Sequence, residues 1–200
     1  ILHHEHFGER IGGFQDDRQL FPRNGIGFTR HEAAQRGNAV VHDGNRTTYR
    51  ELAAQATRLA RALRASGVGP GDRVAYLCPN TPDLLLAHFA VPLAGAVLVA
   101  LNTRLAPTEV AAILDHSGAT MLIVDSELVA TVAPIRDGRP HVREIAVSGT
   151  HDGDPIGITL AQLIARGDDA PLPWRIADED GLISLNYTSG TTGQPKGVMY

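Results

Sequence analysis

Near the end of this 200-residue chain, four hydroxyl side chains, three glycines and a lysine fall within ten consecutive positions. They read Thr188-Ser189-Gly190-Thr191-Thr192-Gly193, then Gln194-Pro195-Lys196-Gly197. Glycines let a backbone take positive φ and come close to a ligand. Successive N–H groups can then line a concave anion site. Thr188, Ser189, Thr191 and Thr192 can add hydroxyl donors to phosphate oxygens. Lys196 adds a positive charge suited to a polyphosphate, and Pro195 fixes the backbone just before it. The chemistry these types and spacings suit is the holding of phosphate groups.

The loop is not a Walker A site, G-x-x-x-x-G-K-[ST]. Lys196 follows Pro195 rather than Gly, and Gly197 stands where Ser or Thr would hold magnesium. The continuation Val198–Tyr200 reads as a strand rather than a helix. The bland alternative is a polar turn between two strands.

The elements that must carry the loop are legible upstream. Asp43-Gly44 between Ala39–His42 and Arg46–Tyr49 is a hairpin signal. Thr48-x-x-Glu51 reads as a capping box opening a helix to Ser66. Leu52, Ala56, Leu59, Ala60 and Leu63 share one face of that helix. Arg58, Arg61 and Arg64 lie towards the other side and read as a solvated face. Arg73–Cys78 is a buried strand, and Thr81-Pro82-Asp83 caps a helix to about Leu93. The pattern continues with a strand Val97–Ala100, a helix from Pro107 that stops before Gly118, and a strand Thr120–Val124. A helix over Ser126–Ala133, a strand Val142–Val147 and a helix from Thr159 to about Arg166 follow. Gly167–Asp180 reads as a surface loop, and the strand Gly181–Tyr187 leads into the glycine-rich loop.

Helices and strands alternate from residue 49 onwards, so the fold class is α/β with a largely parallel sheet. Ligands of such sheets gather at the carboxyl ends of strands, where the loop after Tyr187 falls. Asp178, Glu179 and Asp180 sit at the opposite end of that strand and are read as loop acids rather than metal ligands. Residues 1–28 read as an irregular arm, with a short helix over Thr29–Gly37.

Composition narrows the classes of function. With 43% apolar and 20% charged residues the chain can bury a core. The net charge of −4, with no basic block, disfavours nucleic acid. Cys78 is the single cysteine, so no intrachain disulfide can form, and it is read as a small buried hydrophobe. His3, His4 and His6 have no partners at a zinc-like spacing and read as a tail. The first residues show neither the basic n-region nor the apolar h-region of a signal peptide. Leu84–Thr103 lacks charge and approaches a membrane span in length. His88 and Pro92 inside it, and Gly95 dividing it, favour a buried helix followed by a buried strand instead of a transmembrane segment.

Tyr187–Val198 resembles the signature loop of the adenylate-forming (AMP-binding) enzyme superfamily. Thr47–Leu52, Gly69–Val74, Ala94–Val97 and Leu101–Leu105 resemble further motifs of that family in the same order. The likeness covers about residues 28 to 200. Leu185–Gly190 and Asn102–Leu105 look most like fatty or aryl acid:CoA ligases, the acyl-CoA synthetases. The resemblance implies the front part of a large synthetase domain over residues 29–200, truncated and without its C-terminal domain. It implies that a carboxylic acid, a fatty acid first of all, is activated with ATP and Mg2+ to an acyl-adenylate and passed to coenzyme A. Thr188, Ser189, Gly190, Thr191, Thr192, Gly193 and Lys196 would bind the nucleotide phosphates. The catalytic lysine is expected beyond Tyr200, and no metal ligand is assigned. The expected location is the cytoplasm, with peripheral membrane attachment left open. The alternative is a non-catalytic nucleotide-binding or interaction module, inactive as it stands.

Overall fold

The computed structural model describes residues 37–151, 153, 156–172, 180–188 and 196–200. The expected arm over residues 1–28 and most of the helix expected after it lie outside these residues. The chain divides into two compact units, residues 1–50 and 51–200. In the first, β1 (Asn38–His42) and β2 (Asn45–Thr48) pair antiparallel with His42 opposite Asn45. Asp43 and Gly44 turn the chain with φ of 48° and 77°. Two positive φ values in a two-residue loop match the right-handed twist of a hairpin.

The second unit is a seven-stranded sheet. Its strands are β3 (Arg73–Leu77), β4 (Val97–Ala100), β5 (Met121–Asp125), β6 (Glu144–Ser148), β7 (Ile158–Thr159), β8 (Ser184–Thr188) and β9 (Lys196–Met199). They lie in the order β7-β6-β5-β3-β4-β8-β9. Every pairing is parallel except β8–β9.

The helices are α1 (Tyr49–Ala65), α2 (Pro82–Leu93), α3 (Pro107–Ser117), α4 (Val129–Val132) and α5 (Leu160–Ile164). The β3–β4 crossover moves one way along the sheet and the β4–β5 and β5–β6 crossovers move the other way. Right-handed crossovers of opposite direction place their helices on opposite faces. Accordingly α1, α2 and α5 pack on one face with Val74, Tyr76, Leu98, Met121 and Ile123. Helices α3 and α4 pack on the other with Ala75, Leu77, Val99, Leu122 and Val124. The period-2 alternation of side chains divides each strand between the two cores. Burial on both faces is why these strands read as continuous apolar runs. Leu84–Thr103 divides into α2 and β4, and no helix among the described residues is long and apolar enough to cross a membrane.

Four expectations need correction. The helix expected over Ser126–Ala133 is a 3-10 turn, Ser126–Leu128, the single α-turn α4, and a second 3-10 turn from Ala133. Pro134 lies in that second turn and has no N–H to continue an α-helix. Thr81 stands at the N-cap of α2 with extended backbone but makes no capping bond, and its hydroxyl is buried without a partner. The arginines of α1 are not simply solvated. Arg64 donates to the carbonyls of Leu93 and Ala94, where α2 ends, and Arg61 pairs with Asp168. That pairing holds the Asp168 carboxyl below its usual range. Nor is the segment after α5 wholly a surface loop, since Leu172 joins the core. Thr159, by contrast, forms the expected cap: its hydroxyl accepts from the Gln162 N–H at 3.1 Å, and Gln162 Oε1 accepts from the Thr159 N–H at 2.8 Å.

Candidate functional site

Strand β8 lies beside β4, so the loop it launches leaves the sheet next to the point where chain direction reverses. Pairing with β4 reaches only Asn186, which stands opposite Ala100. Tyr187 and Thr188 overhang that neighbour and are paired only with β9, Tyr187 opposite Gly197 and Thr188 opposite Lys196. Thr188 opposite Lys196 is the last rung of the antiparallel β8–β9 pairing, and the segment 189–195 that joins the two strands lies outside the described residues. Ser189, Gly190, Thr191, Thr192 and Gly193 lie outside the described residues. Of the predicted phosphate ligands, Thr188 and Lys196 are described, and both are exposed at the carboxyl end of β8.

Leu185 and Tyr187 pack against the α3 side of the sheet. By alternation Thr188 and Lys196 project on the opposite side. The Tyr187 ring meets the His116 imidazole edge-on, with centroids 5.7 Å apart and planes at 88°. His116 Nδ1 and the Tyr187 phenol oxygen are 2.7 Å apart. In one tautomer the phenol donates to Nδ1, and in the other Nδ1–H donates to the phenol oxygen. Partial burial pushes the phenol above its ordinary value, so it keeps its proton at neutral pH. Gly197 lies beneath the ring: a Cβ there would stand 3.3 Å from Tyr187 Cζ. Sequence reading named the loop but missed His116, for which a residue 71 positions away carries no signal. It also counted Gly197 among the loop glycines and as a departure from Walker A, without foreseeing the aromatic ring above it.

A second polar group gathers at the carboxyl ends of β3, β5 and β6. The Ser148 hydroxyl donates to Asp83 in the first turn of α2. The Tyr76 hydroxyl is fully buried without a hydrogen-bond partner. Cys78 is buried as expected, and its thiol is pushed up to about 12, by burial first and then by the charges of Asp125 and Asp83. Only the neutral thiol suits this setting. Stability tied to it is present below the ordinary thiol range and is lost as pH rises through that range towards 12. Native Cys78 should therefore resist a thiol reagent such as Ellman's at pH 8 and react in denaturant. Fast native labelling would show the strand end to be open.

Asp178 and Glu179 lie outside the described residues. Among the described residues no group of three His, Cys, Asp or Glu side chains converges as a metal site. The described stem carries a hydroxyl and an ammonium, which suit phosphate oxygens rather than magnesium.

A mostly parallel sheet covered on both faces, with a hydroxyl- and glycine-rich sequence following the strand beside the switch point, defines an α/β domain of the kind that takes ligands at its strand ends. The family model described as AMP-binding enzyme matches residues 28–200. The chain belongs to that family. It is 43% identical over 162 residues to a feruloyl-CoA synthase of an Amycolatopsis species, covering 80% of this chain and 29% of the relative. It is 41% identical over 199 residues to a long-chain-fatty-acid–CoA ligase of Thermus thermophilus, covering 96% and 36%. The crystal structure of the anthranilate CoA ligase AuaEII with anthranoyl-AMP superposes with a TM-score of 0.77 at 28% identity, covering 84% of this chain and 32% of that one. The chain thus spans about a third of the length of these relatives and has the fold of the N-terminal portion of adenylate-forming CoA ligases.

Proposed function

We propose that the whole protein is an AMP-forming acid–thiol ligase that activates a carboxylic acid, a fatty acid first of all, and transfers it to coenzyme A. The observation that supports this most is the placing of Thr188 opposite Lys196 at the carboxyl end of β8, on either side of the hydroxyl- and glycine-rich sequence. In the first half-reaction a carboxylate oxygen attacks the α-phosphorus of ATP. A new P–O bond forms, the bond to the β-phosphate bridging oxygen breaks, and pyrophosphate leaves with the charge. Thr188, Ser189, Thr191 and Thr192, the amides of Gly190 and Gly193, and the Lys196 ammonium hold the β- and γ-phosphates. Donors already aimed at developing charge lower the barrier because they need no reorganisation during the reaction. In the second half-reaction a thiol attacks the acyl carbon and AMP departs. Magnesium, when bound, neutralises polyphosphate charge.

The choice of a fatty acid is supported by the Thermus relative, whose match runs over nearly the whole chain. The feruloyl-CoA synthase makes an aryl acid the competing substrate. The proposed location is the cytoplasm. The deciding measurement is acid-dependent exchange of labelled pyrophosphate into ATP by the full gene product, across short, long and aromatic acids. Exchange with long-chain acids is the expected result. Exchange with aromatic acids alone would overturn the fatty-acid assignment. No exchange with any acid would favour a non-catalytic nucleotide-binding module.

A further inference from the structure

We propose that His116 is a positioning residue for the phosphate loop, acting through Tyr187 on the Thr188–Lys196 rung. This inference rests on the adenylation reading above. Three observations carry it. The first is the shape of the strand end. Beyond Asn186 the strand β8 no longer pairs with β4, and among the described residues its backbone pairs only with β9. Tyr187 and Thr188, which launch the loop, therefore depend on ties other than β4.

The second observation is that the tie exists and has a rigid base. His116 lies in the last turn of α3. Arg73 of β3 clamps the end of that helix, donating to the carbonyls of Ser117 at 2.6 Å and Gly118 at 2.8 Å. The imidazole is thereby fixed to the central strand of the sheet, and its 2.7 Å hydrogen bond passes that fixity to Tyr187. The third is the absence of a side chain at Gly197, which lets the ring lie over the opposing strand. Ring, imidazole and glycine together set the height of the hairpin stem from the α3 side. Thr188 and Lys196, one residue along on each strand, inherit that setting on the other side.

The test uses the full gene product with His116→Ala, His116→Asn, Tyr187→Phe and the His116→Ala/Tyr187→Phe double variant. Asparagine places an amide near the position of Nδ1, so it tests for the hydrogen bond itself. A displaced ligand of order 1 Å is costly, so His116→Ala should lower kcat for pyrophosphate exchange on the order of tenfold or more. The KM for the acid should stay within about twofold, since acid binding is not what the pair controls. Tyr187→Phe should match His116→Ala, the double variant should be no worse than either, and His116→Asn should recover most of the loss. Amide hydrogen exchange over residues 184–188 and 196–200 should run about tenfold faster in His116→Ala through local opening. Unchanged kcat in His116→Ala, or additive losses in the double variant, would overturn the proposal. If wild type shows no pyrophosphate exchange, the ligase reading falls. Hydrogen exchange then decides the tether alone: faster stem exchange in His116→Ala upholds it, and equal rates sink it.

Discussion

Lys196→Ala should slow acyl-adenylate formation by the full gene product by about 10²- to 10³-fold, the cost of removing one preorganised donor from a developing anion, about 3 kcal/mol. Lys196 closes the hairpin opposite Thr188 and is exposed, so its ammonium has no packing duty in the described structure. Folding stability should accordingly change by less than about 0.5 kcal/mol. The KM for the acid should hardly move, because the charge being met is that of departing pyrophosphate. The decisive reading is pyrophosphate exchange at saturating acid, with thermal denaturation beside it. A variant that exchanges pyrophosphate at the wild-type rate would remove Lys196 from the reaction. A variant that loses activity only in step with stability would make it a structural residue. Lys196→Arg keeps the charge but changes its shape, so it should retain part of the activity if charge is the main contribution.

Gly167→Ala should be strongly destabilising. Gly167 follows α5 and lies against the backbone of α1. A Cβ there would overlap the Arg58 carbonyl oxygen and stand 2.9 Å from Ala62 N. Neither atom belongs to a flexible side chain, so helix and loop must part. Parting them loosens the packing of Leu163 and Leu172 on α1 and strains the Arg61–Asp168 pair. We expect a loss of about 3 kcal/mol, the upper part of the range for overpacked sites. Gly138→Ala is the control, since Gly138 has φ 83° and open space around it. It should cost only about 1 kcal/mol, from backbone conformation alone. Urea denaturation of the two variants checks the difference. Equal losses would mean that α5 does not dock on α1 as closely as described.

Much of this molecule is legible in one dimension because its instructions are local. Pro107, Glu109 and Gly118 mark the limits of α3, and Asp43-Gly44 marks its hairpin. Unbroken apolar runs such as Val74–Cys78 reveal strands covered on both sides. The region around Ser126, expected as one helix, is instead two 3-10 turns flanking a single α-turn, and Pro134 accounts only for the end of that α-turn. Thr81 misled differently: its type and place suit a cap, yet its hydroxyl points away from that role. Arg61 and Arg64 could not be read from α1 alone, because their partners lie 107 and about 30 residues away.

By itself, then, the sequence determined the class of fold, the family and the residue types offered to phosphate. Glycines, hydroxyls and a lysine in one run carry that information without any distant partner. Tertiary structure alone decided how the loop is held. Whether β8 would overhang β4, whether Tyr187 would find His116, and whether Gly197 would lie under an aromatic ring depend on strand order and register. Those are long-range pairings, and no local propensity encodes them. The loop's chemistry is written in consecutive residues, whereas its aim is set by an α3 histidine that only the folded sheet brings near.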